Sequence, residues 1–597
     1  MQHLPELLRK RIWVWLTLVA LLTFFAAACA QQTTPEPTEP GGAPAEATEA
    51  PAADQPAEEP TEAPAADEPA EEPTEEPAAE PAEPQFMVER LRAAITDDES
   101  TLNPYTYVTG FPGWNILTMQ YDTLFTLDLN GEPQPWLVTD WELSDDGTVY
   151  TLNLRDDVTW NDGQPFTAED VKFTFEYFSA NSHSRFTRGI SGFVSAEVTG
   201  DYQVVITLEK PNPIYTQVAF ADVPIIPKHI WENIENPAEY VFDTVTNVAT
   251  GPYMLVEYEP DQFYRFVANT NYFAGTPTVG ELVLIKFADM SGALAAFRTN
   301  EVDVIFPRIP PEQIELLGSI DNVKIAQGPE FTTDLIAYDM EQPPFDNQQF
   351  RQALALALNL QDMVDTVYLG AATPGSFGWI HPASPFFNSD VVTEYNPEKA
   401  NAILDELGFL DTDGDGIREF DGQPLSFEFM APSGNPQRLR LAELAKEMWA
   451  QIGVNVEVVS LERTTLVERV WPGFDVSQGR DYQISMFGWS APVQAIPSRV
   501  TILLHSDPSV GVINITGYKS ETADQLVEAL SEETDPDKRL QLMKDIQALI
   551  AEDLPFILLL YPDGVYSYWS NVYDNYAFIT GQGIVNKLSF LPESARP

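Results

Sequence analysis

WELSDDGTVYTLNLRDDVTWNDGQPFTAEDVKFTFEYF, residues Trp141–Phe178, is the stretch of this chain in which strand, turn and helix signals follow one another most closely. Val149–Leu154 alternates apolar and polar side chains, as a half-buried strand does, and an Asp-Gly turn precedes it. Thr167 is followed three residues later by Asp170, a spacing that predicts a capping box opening a helix through Phe178. The stretch therefore predicts a strand, a turn and a capped helix in close succession.

Outside this stretch the chain keeps alternating between strand-like and helix-like patterns. The predicted strands are Val204–Leu208, Leu282–Lys286, Val454–Val459 and Gln483–Phe487, and the predicted helices are Ser291–Thr299, Asn347–Val367, Pro397–Leu407, Arg438–Ile452, Ala523–Leu530 and Asp537–Glu552. Residues 86–597 are too many for one hydrophobic core, so we expect at least two domains. Because both halves mix helices with strands, the predicted fold class is α/β.

Short motifs follow in order along residues 86–597. They are STLNPYT (Ser100–Thr106), IIPKHIWE (Ile225–Glu232), ATGPYML (Ala249–Leu255), NTNYFAG (Asn269–Gly275), FRTNEVDV (Phe297–Val304), FRQALALALN (Phe350–Asn359), YNPEKANAILDELGF (Tyr395–Phe409) and MFGWSAP (Met486–Pro492). Together with Trp141–Phe178 they resemble the family 5 extracellular solute-binding proteins, which are the peptide, nickel and oligosaccharide receptors of ABC importers. The resemblance covers essentially the whole of this part of the chain.

The resemblance implies a two-lobed α/β fold like that of periplasmic binding proteins (a Venus-flytrap fold), with an extra subdomain in lobe one. Lobe one is expected to comprise residues 86–120, 248–330 and 562–597, the extra subdomain residues 121–247, and lobe two residues 331–561. A solute bound between the lobes contacts both and so stabilises the closed state. The function implied is capture of a peptide or similar oligomeric solute by a monomer and its delivery to a membrane permease, with a separate ATPase subunit.

The N-terminus has the layout of an export signal. Arg9–Arg11 is a basic trio, Ile12–Phe25 is apolar, and three alanines precede Cys29, the only cysteine of the chain. Ala26–Cys29 resembles the bacterial lipobox, in which the cysteine is acylated and becomes the first residue of the mature protein. We therefore predict a lipoprotein signal peptide over residues 1–28 and an anchor at the outer face of the cytoplasmic membrane; the alternative is a plain signal peptide with an incidental cysteine.

Residues 29–85 are rich in Pro, Ala, Glu and Thr and contain no Lys or Arg. One unit repeats, first as Glu49–Thr61 and then as Glu62–Thr74. So few apolar side chains cannot offset the entropy lost on folding, and frequent prolines favour extended geometry. The segment is predicted to be a disordered acidic stalk; a linker with no spacing role is the alternative.

The formal net charge of the chain is −59. So acidic a protein is repelled by nucleic acid and by anionic lipid, which argues against either as a partner. The charge suits solubility or a saline habitat, and attraction of cationic solutes is the alternative. With one cysteine, no disulfide can form within the chain.

The sequence contains no pattern that indicates catalysis. The five histidines, His3, His183, His229, His381 and His505, are scattered and form no HExxH or other paired metal spacing. GxSxG, the P-loop lysine motif and GxGxxG are absent as well. We therefore expect a protein that binds without catalysing a reaction and needs no cofactor.

One segment suggests an ion. Asp411, Asp413, Asp415 and Glu419 place carboxylates at alternate positions around a glycine turn, as at the start of a calcium loop. Gly422 stands where such a loop needs its bidentate glutamate, for which Asp421 or Glu419 could substitute. Structural calcium is therefore one hypothesis, and an acidic surface turn between a helix and a strand is the other.

Two tryptophans are candidate ligand contacts. Trp379 (in GWIHP) and Trp489 (in GWSAP) each follow a glycine and stand beside a proline-containing turn, which predicts a position at the end of an element near a surface or cleft. Ser490 and Asn103, which belong to motifs of the family, are further candidates for ligand binding on the resemblance.

The ligand stays open at this stage. Peptide receptors of the family usually carry an aspartate shortly after the Gly-Trp pair, but here none follows Trp489 before Asp507. Trp489–Pro492 resembles the Trp-x-Ala-Pro of nickel-chelate receptors, although Val493 replaces the tyrosine seen there. A peptide, an oligosaccharide and a metal chelate are therefore all candidates, and a sensory receptor of the same fold or a secreted hydrolase are alternative functions.

Overall fold

The structure is a computed structural model, which describes residues 85–106, 113–181, 186–490 and 499–597. The expected signal peptide, Cys29 and the stalk lie outside the described residues. Within them, no helix combines the length and apolar character needed to cross a membrane.

The strands are β1 (Val88–Ile95), β2 (Phe125–Leu127), β3 (Pro133–Pro135), β4 (Val138–Leu143), β5 (Val149–Leu154), β6 (Phe193–Gly200), β7 (Gln203–Leu208), β8 (Tyr253–Glu259), β9 (Phe263–Ala268), β10 (Val279–Lys286), β11 (Val304–Ile305), β12 (Val323–Pro329), β13 (Asp334–Tyr338), β14 (Ala372–Pro374), β15 (Glu419–Phe420), β16 (Gln423–Pro424), β17 (Ser426–Pro432), β18 (Asn455–Leu461), β19 (Ile484–Phe487) and β20 (Ile557–Trp569).

The α-helices are α1 (Asn115–Gln120), α2 (Ala168–Ala180), α3 (Phe186–Gly189), α4 (Lys228–Trp231), α5 (Met290–Arg298), α6 (Ile314–Gly318), α7 (Gln348–Leu356), α8 (Leu360–Met363), α9 (Pro397–Glu406), α10 (Pro436–Ala450), α11 (Arg463–Val470), α12 (Val500–Leu504), α13 (Glu521–Glu532) and α14 (Pro536–Asp553). The expected mixed α/β class is confirmed.

The principal sheet runs through the molecule in the order β18-β17-β19-β13-β20-β11-β1-β10-β9-β8, and β12 and β14 also pair with β20. Parallel pairs, such as β1 with β10 and β17 with β18, occur beside antiparallel ones. The helix α10 packs against β17 and β18, and α5 packs against β1 and β11. Helices therefore pack on the sheet in both of its halves, which is the arrangement expected of α/β lobes.

Buried apolar side chains form separate clusters along this sheet. One large cluster draws on residues between Leu91 and Phe306 and on the C-terminal residues from Tyr566 onward, and two others lie between Leu335 and Tyr561. We call the first group lobe one and the second lobe two. The two-lobed fold expected from the sequence is thereby seen in how the cores divide.

The four-stranded antiparallel sheet β4-β5-β7-β6 lies within residues 121–247, the range expected for an extra subdomain. The capping box predicted for Thr167 and Asp170 is present at the start of α2, which packs against β6 and β7. Buried side chains of this sheet belong to the same cluster as those of β1 and β9. The subdomain is thus a separate sheet that shares the core of lobe one.

Two stretches of chain connect the lobes. The strand β20 pairs with β13 through its first residues and with β12 through its last ones, with Pro329 opposite Asp563 and Asp334 opposite Leu560. Between β12 and β13 the pairing is interrupted, and Phe331 has a φ of 60°. We call residues 330–333 together with 561–563 the hinge, since both crossings lie there.

One predicted element is wrong. The single helix expected over Asn347–Val367 is broken into α7 and α8, followed by a π-helical turn from Val364 to Tyr368. The side chain of Asn359 accepts a hydrogen bond from the backbone N–H of Asp362 and thereby caps a new helix. An asparagine that caps locally competes with continuation of the helix, although the apolar spacing on both sides is unchanged.

Candidate functional site

A cavity of about 600 Å³ opens between the lobes, next to the hinge. Lobe one and its subdomain contribute the end of β1, the turn between β2 and β3, residues 214–222 and residues 306–308. Lobe two contributes Ser384–Phe386, Ser490, Arg499 and Arg539. Its volume falls within the range of about 300–1,000 Å³ that is usual for small-molecule sites, and its position between two lobes is a common one for such sites.

The hinge brings a buried carboxylate to the wall of this cavity. Glu330 pairs with Arg308, whose Nε lies 3.2 Å from Oε2, and accepts a hydrogen bond from the hydroxyl of Tyr566. Burial raises the pKa of Glu330. Side chains at Gly564 or Gly583 would collide with this carboxylate, because a Cβ there would lie 2.5 or 2.6 Å from it.

On the lobe-two side, the hinge is tied to α10. Arg438 donates from Nε to Oδ1 of Asp334 over 2.7 Å, and the hydroxyl of Tyr368 donates to Oδ2 over 2.6 Å. Arg438 also donates to the carbonyl oxygen of Thr333 over 3.3 Å. These bonds fix the first residues of β13 to lobe two, so that changes of angle between the lobes fall on residues 330–333.

The predicted contact Trp489 lies against the hinge. Its backbone N–H donates to Oγ1 of Thr333 over 2.9 Å, and its carbonyl accepts from the N–H of Thr333 over 3.1 Å. The half-buried indole packs edge-on against Trp471 and Phe487, with ring centroids 5.8 and 5.1 Å away. The next residue, Ser490, is exposed and lines the cavity, whereas the indole packs behind that wall.

The expectation that Trp379 lies near a surface or cleft is wrong. Its side chain is 0% exposed, and its ring packs edge-on against Phe556 at 5.0 Å. Its carbonyl accepts a hydrogen bond from the hydroxyl of Tyr561 over 2.9 Å. The Gly-Trp pair here turns inward with a φ of 80° at Trp379, and the indole fills the core of lobe two.

Asn103 is also interior. Its Nδ2 donates to the carbonyl oxygens of Pro237 and Tyr240, over 2.6 and 3.0 Å, and its Oδ1 accepts from the N–H of Tyr105. These bonds join the segment after β1 to the subdomain. The residue therefore has a structural position, and it is not among the described residues that line the cavity.

The acidic loop places three of its four candidate ligands together. Carboxylate oxygens of Asp411, Asp413 and Glu419 lie within 4.8 Å of one another. Asp415 is outside this group, and its Oδ1 accepts from the N–H of Ile417 over 2.8 Å. Calcium binding stays a prediction, with Asp411, Asp413 and Glu419 as the ligands that the geometry favours.

Sequence reasoning missed the charged residues of the cavity wall. Arg308, Glu330, Arg499 and Arg539 belong to no short motif, and they come together only through the hinge and the packing of α12 to α14. For the three arginines the one available signal is their positive charge, because basic residues are scarce in a chain with 32 basic and 91 acidic residues.

Comparison with known proteins gives the family. The family model of bacterial extracellular solute-binding proteins, family 5 Middle, matches residues 132–510. This chain belongs to that family. The resemblance found in the motifs is therefore confirmed, and with it an extracytoplasmic solute-binding protein.

Individual relatives support the same conclusion. The chain is 28% identical over 475 residues to the oligopeptide-binding protein AppA of Bacillus subtilis (strain 168), covering 78% of this chain and 85% of the relative. The solved structure of AppA from Bacillus subtilis with a nonapeptide matches with a TM-score of 0.68 at 25% identity, over 85% of this chain and all of that one. NikZ of Campylobacter jejuni with Ni(L-His) matches with a TM-score of 0.67 at 26% identity, over 81% and 94%.

Proposed function

We propose that this protein captures a peptide or similar oligomeric solute between its two lobes and delivers it to the permease of an ABC importer. The observation that supports this most directly is the cavity lined from both lobes beside a two-crossing hinge, in a member of the family. A solute there contacts both lobes only when they are close, so binding favours closure.

The charged residues of the hinge suit this movement. Glu330 is held by Tyr566 from β20 and by Arg308 from lobe one, while Asp334, four residues later, is held by Arg438 from lobe two. A change in the angle between the lobes would therefore fall on the residues between Glu330 and Asp334. A permease would then distinguish the closed, loaded form from the open one by the relative position of the two lobes.

The remaining parts of the proposal concern the cell. Cys29 is the acylated residue that anchors the protein to the outer face of the cytoplasmic membrane, and two or more acyl chains suffice for stable anchoring. The acidic stalk of residues 29–85 holds the lobes away from that surface. The protein acts as a monomer without catalysis, and the ATPase and permease are separate subunits.

The test uses the soluble chain, meaning residues 29–597 with Cys29→Ser. Native mass spectrometry of the protein as purified identifies any retained solute, and thermal-shift screens with peptides, oligosaccharides and metal chelates follow. A retained peptide, or stabilisation by peptides alone, is the expected result. Stabilisation by sugars alone would remove the peptide from the proposal and keep the importer.

A metal chelate is the second candidate. Trp489–Pro492 resembles the Trp-x-Ala-Pro of nickel-chelate receptors, and the NikZ structure matches at an identity similar to that of AppA. The same screen separates the two, because nickel with histidine would then raise the melting temperature while peptides would not.

A further inference from the structure

The cavity differs in charge from the rest of the molecule. The chain has almost three acidic residues for each basic one, yet the described lining of the cavity contains four carboxylates and three arginines. One of these arginines, Arg308, is paired with Glu330 at the hinge. In this described lining the arginines therefore nearly balance the carboxylates, unlike in the chain as a whole.

The charges are also sorted between the two walls. Asp97, Glu132 and Asp222 all come from lobe one and its subdomain. Arg499 and Arg539 come from lobe two, and no carboxylate of lobe two is among the described lining residues. The two walls therefore have opposite signs.

The packing of three helices places both arginines on the lobe-two wall of the cavity. Arg499 precedes α12, and Thr501 in that helix bonds through Oγ1 to Ser531 Oγ over 3.2 Å and to the carbonyl of Val527 over 3.3 Å. Arg539, in the first turns of α14, donates from Nη1 to the carbonyls of Leu530 and Glu533 over 2.9 and 3.0 Å. The helix that follows Arg499 and the side chain of Arg539 are thus both bound to the second half of α13.

Arg539 has the environment expected of an anion-binding side chain. It is 7% exposed, lines the cavity, and forms no ion pair with a described carboxylate. Only Nη1 is used, since no described acceptor lies within hydrogen-bond distance of Nε or Nη2. The carboxylate of Glu533 accepts instead from the N–H of Asp535 over 2.9 Å. Burial lowers the pKa of Arg539, and the nearby charge of Glu533 offsets this only in part.

We infer that Arg499 and Arg539 form a carboxylate-binding end of the cavity, and that the solute is oriented with its carboxylate on lobe two and its cationic group on the acidic wall of lobe one. The inference rests on the proposed function and adds to it the polarity of the bound solute. Arginine suits the task because its planar fork donates two parallel hydrogen bonds to a carboxylate. The acidic wall supplies the partner for an amine, which the missing aspartate after Trp489 leaves unassigned.

The test compares one pool of random pentapeptides in three forms: with free termini, as C-terminal amides and as N-acetyl peptides. The soluble chain is mixed with each pool, retained peptides are identified by native mass spectrometry, and the tightest sequence is then measured in all three forms by calorimetry. We expect the amide to bind at least tenfold more weakly than the free acid. Acidic sequences enriched in the amide pool would assign the same arginines to a side-chain carboxylate.

The variants Arg499→Gln and Arg539→Gln should each weaken binding of the free acid about tenfold and bring the ratio of acid to amide affinity close to one. Arg539→Lys, which keeps the charge but not the fork, should retain part of the preference, and it also covers the case in which Arg539→Gln does not fold. Arg440→Gln, which removes an exposed arginine of α10 outside the cavity, is the control and should leave the ratio unchanged.

Two negative results would have different meanings. Equal binding of acid and amide by the unchanged protein, without enrichment of acidic sequences, overturns the inference and leaves the proposed function intact. A pool that is not retained in any form, while a sugar or chelate is, overturns the peptide function and the inference with it.

Discussion

Two buried carboxylates of this molecule, Asp122 and Glu330, are bound by similar groups but differ in how accessible their cations are. Asp122 accepts from Tyr272, Trp136 and Thr250 and pairs over 2.7 Å with Lys587, whose side chain is itself buried at 8% exposure. Glu330 accepts from Tyr566 and pairs with Arg308, whose side chain is 42% exposed and faces the cavity. The difference lies in the cation, which is enclosed in the first pair and open to a solute in the second.

This comparison separates the parts that hold the shape from those that can change. Asp122 lies at the start of the subdomain and Lys587 near the C-terminus, so their pair fixes the C-terminal residues to lobe one. Glu330 lies at the hinge, between strands that cross from one lobe to the other. A buried pair that is fully satisfied favours one arrangement, whereas an open pair can exchange partners when the lobes close.

The largest effect is expected for Lys587→Met. The change leaves the carboxylate of Asp122 buried without its cation, which should lower the free energy of unfolding by about 3–5 kcal/mol. Urea unfolding of the soluble chain measures it. Arg440→Met, in an exposed pair with Glu447, is the control and should change the free energy of unfolding by less than about 1 kcal/mol. Similar values for the two variants would contradict the distinction between enclosed and open pairs.

The next effect concerns pH at the hinge. The ring of His381 packs against Phe331 and Tyr561, and burial lowers its pKa to about 4. Its Nδ1 accepts a hydrogen bond from the N–H of Ala383 over 2.9 Å, which protonation would break. The stability from the neutral ring is therefore complete above pH 6.5 and is lost as the pH falls towards 4, by roughly 2–3 kcal/mol.

The variant His381→Asn checks this, since an amide oxygen can accept from Ala383 without titrating. Urea unfolding between pH 7 and pH 4 should show a smaller loss of stability for the variant than for the unchanged protein. An equal loss would mean that His381 does not account for the loss of stability at low pH.

The sequence predicted local elements well and the assembled site poorly. Val149–Leu154 is the strand β5 as expected, because alternation of side chains depends on neighbours along the chain. The break at Asn359 was missed, since an asparagine that caps and one that does not look alike in the sequence. The same limit explains Trp379 and Trp489, which share a Gly-Trp pattern although one is enclosed in the core and the other lies behind the cavity wall.

The arginines of the cavity show a second limit. Arg499 and Arg539 are far apart in sequence, and only the contacts of α12 and α14 with α13 place both at the cavity. No periodicity or motif spacing reports such a meeting. The family, by contrast, was recognisable from ordered motifs, because these were read along the chain one after another.

The next prediction concerns the affinity for the solute and the side chain of Trp489. Trp489→Ala removes the indole that packs against Trp471 and Phe487 behind the lining residue Ser490, so we expect the affinity for the tightest pentapeptide to fall indirectly, by up to about 2 kcal/mol, or thirtyfold. Calorimetry measures the change. Trp569→Ala, at a half-buried tryptophan of β20 outside the cavity lining, should leave the affinity unchanged. Equal affinities for all three proteins would remove Trp489 from the binding site.

The smallest effect is expected at the acidic loop, which carries carboxylates like those of the two pairs but lacks their cation. Among the described residues no lysine or arginine pairs with Asp411, Asp413 or Glu419. If calcium takes that place, a concentration ten times its dissociation constant should stabilise the soluble chain by about 1.4 kcal/mol, read as a rise in melting temperature that EDTA reverses. Asp411→Asn should abolish the rise and Asp415→Asn should keep it, because Asp415 lies outside the group of three. No rise at millimolar calcium would make the loop a plain acidic turn, whose water-exposed carboxylates, unlike the buried Asp122, need no cation.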